Sequence, residues 1–144
     1  MKRFILKIRM PLIAELFNSV LAQLLGTEYG FLVFPLFTAA IAFWAGFLIA
    51  KESWGSLAHA GWAGPFILIL GILVASASLA ISPPFSAAEL EGIAARVRYT
   101  WVMEYPRLTA LLGFAIASVV IMPVAALISV LGGLLGKHSK TANV

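Results

Sequence analysis

Three stretches of the chain are almost wholly apolar, and the longest, Leu108 to Gly136, runs 29 residues without an Asp, Glu, Lys, Arg or His. A hydrocarbon core about 30 Å thick takes roughly 20 apolar residues of helix. Residues 29–50, 62–81 and 108–136 therefore each predict a transmembrane span. The short connection between the first two makes them an antiparallel hairpin. Pro35 and Pro65 fall near the expected helix starts, where a missing N–H is least costly, whereas Pro123 stands in mid-span and predicts a kink.

Two further stretches alternate with helical period. Between Pro11 and Leu25 the apolar residues Leu12, Ile13, Leu16, Phe17, Val20, Leu21, Leu24 and Leu25 share one stripe, and Glu15, Asn18, Ser19 and Gln23 fall opposite. Pro11 suits a helix start and Gly26 a C-terminal cap. At about 1.5 Å per residue this helix is too short to span, so it is expected to lie in the membrane interface, with a protein neighbour for Asn18, Ser19 and Gln23 as the competing arrangement. The second stretch, residues 86–105, opens with a capping box, Ser86 followed three residues later by Glu89, and with Phe85 and Leu90 at staple positions. Leu90, Ile93, Ala94, Val97 and Trp101 share its apolar face, and Pro106 predicts a bend before the last span. The expected architecture is an all-α integral membrane protein of one domain: three transmembrane helices, two amphipathic interfacial helices at 11–25 and 86–105, and a polar tail at 137–144.

Composition agrees. The 144 residues are 62% hydrophobic and 11% charged, against about 25% charged in soluble proteins. Cys and Asp are absent, and all six acids are Glu lying outside the three uncharged runs. Thiolate chemistry and Cys-ligated metals are excluded, no metal site is expected, and no catalytic constellation appears. The net charge of +4 lacks the basic stripe with interleaved aromatics that nucleic acid requires. The N-terminal MKRFILKIRM begins like a signal peptide, but Lys7, Arg9 and Glu15 interrupt the apolar region, so no cleavage is expected. Counting cations beside the spans places Lys2, Arg3, Lys7, Arg9, Arg96, Arg98 and Arg107 on one side and Lys51, Lys137 and Lys140 on the other. By the positive-inside rule this predicts a cytoplasmic N-terminus and a C-terminus on the opposite side.

Small residues at four-residue spacing mark faces on which helices pack closely: Ala42, Gly46 and Ala50; Gly71 and Ala75; Gly113 and Ala117; Ala125, Ser129 and Gly133. Three spans have more such faces than they need internally. The expected function is therefore that of a non-catalytic accessory subunit of a membrane complex, energy-transducing or electron-transferring, whose partners are the bilayer and other membrane subunits. The alternative is a self-assembling pore, transporter or envelope protein built from copies of this chain. A third reading places haem or quinone at His59, with His138 as a second imidazole or Trp62 as a neighbour; a solvated histidine is the simpler identity for each, and no cofactor is expected. With no ionisable group inside the three runs, a pump is disfavoured, and Glu15 and Glu28 at the membrane edge read as hydrated groups, with a place facing a partner's channel as the alternative.

Overall fold

The computed structural model of the chain describes residues 1–79, 87–97 and 104–141. Among the described residues there are six α-helices: α1 (Lys2–Lys7), α2 (Arg9–Leu24), α3 (Gly26–Ala50), α4 (Leu57–Leu79), α5 (Ala87–Val97) and α6 (Pro106–Thr141). Among the described residues there is no strand. Helices α3, α4 and α6 are long and apolar enough to cross a bilayer, through Val33–Ala50, Leu57–Val74 and Val119–Ser139.

The pair α3 and α4 forms the middle of the bundle, joined by residues 51–56. Helix α6 packs on one side of this pair and α2 on the other. Small residues set how closely α6 approaches. A Cβ at Gly46 would collide with the Ser129 backbone and one at Gly132 with the Phe43 backbone, so α3 and α6 meet nearly main chain to main chain. Such contact lets dispersion hold helices together where lipid offers no hydrophobic drive. Ala42, Ala50, Ala125 and Ser129 are buried, and Gly133 faces Ala60 of α4. The faces expected to serve a partner complex are largely consumed inside this chain.

Ser129 also repairs a defect in α4. Pro65 has no N–H to offer the Gly61 carbonyl. The Ser129 hydroxyl lies 3.2 Å from that carbonyl oxygen and 3.0 Å from its own Ala126 carbonyl, so its one hydrogen serves either, and it accepts the Gly64 N–H at 3.2 Å.

The N-terminal segment departs from the interfacial helix expected for 11–25. Pro11 leaves the Lys7 carbonyl without its helical donor, and the helix breaks at Ile8. Below the break α2 runs antiparallel to α3 and docks on the α3–α4 pair. Ile8 joins the core of Ile41, Ala45, Ile49, Ala60, Ala63 and Ile67, while Phe4 meets Phe66 edge to face at 6.1 Å. Helix α2 turns its polar side inward: Glu15, Asn18 and Ser19 are buried, and Ile13, Leu16, Phe17, Val20, Leu21 and Leu24 are exposed. Burial against protein gives Glu15, Asn18 and Ser19 hydrogen-bond partners, though not for every atom, and leaves the apolar stripe outermost. The competing arrangement, a protein neighbour, is the one observed for Asn18 and Ser19, and the neighbour is the chain itself; the Gln23 side chain lies outside what is described.

Other boundaries shift. Helix α4 begins at Leu57 rather than 62, so Pro65 is its ninth residue, and Pro35 is the tenth of α3. Helix α6 continues past Pro123 and through most of the expected tail to Thr141. Topology shifts as well. Lys7 pairs with Glu52 at 2.5 Å, and Gly133 and Gly136 lie against Ala50 and Phe47 at the C-terminal end of α3. The start of the chain and the end of α6 thus both sit at the end holding the α3–α4 connection, whereas the C-terminal side was expected opposite the N-terminal one. The expectation failed because it let α1 and α2 lie along the surface, whereas they return along α3 and carry the N-terminus with them. Helix α5 begins at Ala87, while Ser86, the rest of the 86–105 stretch beyond Val97 up to residue 103, and the side chains of Ala75, Glu89 and Ala117 fall outside what is described.

Candidate functional site

The polar side of α2 meets the α3–α4 pair at a single cluster. Spacing of three and four residues puts Glu15, Asn18 and Ser19 on one helical face. Opposite them stands Thr38, which with Tyr29 supplies the only hydroxyls of the first uncharged run. Thr38 lies inside the segment of α3 able to cross a bilayer. Antiparallel packing of α2 on α3 brings the residues into hydrogen-bond range.

The Glu15 side chain has no solvent exposure. Its Oε1 accepts the Thr38 hydroxyl at 2.8 Å, and its Oε2 stands 3.5 Å from Asn18 Nδ2. The Asn18 amide also donates to Thr38 Oγ1 and to the Phe34 carbonyl, both at 3.1 Å, and Ser19 bonds back to the Glu15 carbonyl at 2.9 Å. Asn18 Oδ1 is buried with no donor. On the α4 side Gly71 closes the site: a Cβ there would press on Glu15 Oε1 and the Phe34 ring. Gly71 is expected to pack against another helix with Ala75; its neighbours are Glu15 of α2 and Phe34 of α3.

The cluster is short of hydrogens. Four side-chain oxygens (both of Glu15, Thr38 Oγ1 and Asn18 Oδ1) compete with the Phe34 carbonyl, which already takes a helical N–H, for one hydroxyl and two amide hydrogens, and among the described residues no Lys, Arg or His pairs with Glu15. A buried carboxylate without a counter-charge favours its neutral form. Burial pushes the Glu15 carboxyl up from 4.5 to about 7, partly opposed by the hydrogen bonds from Thr38 and Asn18. A proton on Glu15 removes the buried charge and adds one of the missing donors.

The other candidates lie elsewhere. His59 is exposed at the start of α4, with Nδ1 2.8 Å from Ser56 Oγ and its ring edge-on to Trp54 at 6.0 Å. Trp62 is exposed one helical turn further on, and His138 stands near the end of α6. Among the described residues no group of three or more His, Cys, Asp or Glu is placed to hold a metal ion. The chain matches no family model, no curated protein and no solved structure.

Sequence reasoning missed the cluster because it scored α2 by its apolar stripe and set the polar face towards water. The available signal was the pairing of a three-residue polar patch on α2 with a solitary Thr38 deep in an otherwise apolar run.

Proposed function

We propose that the protein is a non-catalytic, multi-pass membrane protein whose working group is Glu15, which takes up and releases a proton where α2 meets α3 and α4. The observation that carries this reading is the completely buried Glu15 carboxyl, hydrogen-bonded by Thr38 and Asn18, paired with no cation among the described residues, and adjacent to Asn18 Oδ1, which has no donor there. Ionisable groups held inside a membrane protein are costly and are retained for what they do. Infrared difference spectra between pH 5 and pH 9, in lipid, test it. A protonated-carboxyl band that disappears at high pH and is absent from Glu15→Gln supports the reading, and a wild-type spectrum identical to that variant's overturns it.

Membership of a larger assembly is the second reading, favoured by Gly113. An added Cβ there would meet nothing within 4 Å, and exposed Leu112 and Ile116 flank it on α6, which leaves a close-packing position free for another helix. Gly113→Leu should abolish co-migration with foreign subunits, or with other copies of the chain, in mild detergent. Unchanged migration of a complex-bound variant would remove Gly113 from the contact.

A further inference from the structure

The fold gathers charge that the sequence scatters. Lys2, Arg3, Lys7, Arg9, Lys51, Lys137 and Lys140 all belong to the end of the bundle where α1 and the end of α6 meet the α3–α4 connection, seven of the ten cations in the chain. One acid, Glu52, is placed there among the described residues, and Lys7 neutralises it at 2.5 Å. Taking the seven cations less that acid, this end carries +6, more than the +4 of the whole chain.

At the same end lies a cavity of about 400 Å³ lined by Met1, Lys2, Arg3, Phe4, Trp54 and His59, with no acid among them. Phe4 and Trp54 supply apolar walls. Ser56 Oγ accepts the His59 backbone N–H at 3.1 Å and contacts Nδ1 at 2.8 Å. When Ser56 donates to Nδ1, the ring proton resides on Nε2, which adds a neutral N–H donor to the two cations. Cations on flexible stems, an indole and an N–H donor around an open cavity suit one chemistry: a phosphate oxyanion attached to something amphipathic. Basic groups beside membrane spans are attracted to an anionic leaflet, and Trp belongs at headgroup depth.

We propose that this end of the bundle binds the phosphate of an anionic lipid, held by Lys2 and Arg3 at the cavity bounded by Trp54 and His59. The site is independent of Glu15 and survives its failure. Native mass spectrometry of the purified full chain, delipidated and then titrated with phosphatidylglycerol or phosphatidylcholine, tests it. Phosphatidylglycerol adducts should exceed phosphatidylcholine adducts at least fivefold, and Lys2→Gln/Arg3→Gln should erase the preference while leaving the melting temperature unchanged. Lys51→Gln/Lys137→Gln removes the same charge from the same end but away from the cavity, and should keep most of the preference. Equal loss in both pairs, or no preference in the wild type, overturns the site. Inorganic phosphate at millimolar concentration distinguishes the source: adducts that persist establish the lipid, and displacement overturns it in favour of a free-phosphate site.

Discussion

Glu15 makes the stability of the protein depend on pH in a direction opposite to most carboxylates. Its folded value of about 7 stands above its ordinary 4.5, so between those limits the folded chain holds more protons than the unfolded one. Stability is then full below about pH 4.5, declines as pH rises, and levels off above about 7, a loss on the order of 3 kcal/mol. Melting in detergent should show this decline in the wild type and a flat profile in Glu15→Gln; a wild-type melting temperature that rises from pH 5 to 8 would contradict it. Thr38→Val removes the hydroxyl whose hydrogen bond pulls the carboxyl down, so the midpoint of the decline should move to higher pH, and an unmoved midpoint would detach Thr38 from the titration. None of this was legible from Glu15 alone. A lone Glu on a short amphipathic helix looks the same whether its face meets water or another helix, and only the partner Thr38, 23 residues on, separates the two cases.

At the scale of helices, the small residues divide into two kinds that sequence spacing cannot tell apart. Gly46 and Gly132 have a neighbouring backbone where a side chain would go, whereas Gly113 has open space. Gly46→Leu or Gly132→Leu should force α3 and α6 apart and lower the melting temperature sharply, and Gly113→Leu should leave the melting of the isolated chain unchanged. Equal effects at Gly46 and Gly113 would refute this division. Ser129→Ala leaves the Gly61 carbonyl and Gly64 N–H with one partner fewer and should cost about 1 kcal/mol, the scale of a hydrogen bond between membrane helices; measurement by unfolding in mixed micelles checks it. The three long helices were plain in the sequence because an uncharged apolar run has few other fates. Their starts were less plain: Pro65 marks a helix start only if nothing repairs its missing bond, and Ser129, 64 residues away, does so.

For the whole molecule, the ends of the chain are its most informative feature. Cysteines placed one at a time at Ser53 and Thr141 in this Cys-free chain should label from the same side of sealed vesicles, and a cysteine at Glu104 from the other; opposite sidedness for the first pair would break the bundle topology. Because the cation-rich end holds α1 and the end of α6, that shared side is expected to be cytoplasmic. Counting cations from sequence also gave seven against three, with different members on each side, because the count depends on which way α1 and α2 turn. That turn bears on how the protein is made. Synthesis proceeds from the N-terminus at roughly 5–20 residues per second, so α2 leaves the ribosome before the helices that will cover Glu15 exist. Until α3 and α4 follow, some seconds later, its polar face has only water or headgroups to meet, and a helix apolar on one side and polar on the other can wait at the membrane surface. A surface helix over residues 11–25 is thus expected of the nascent chain alone, with burial of Glu15 as a late step in its maturation.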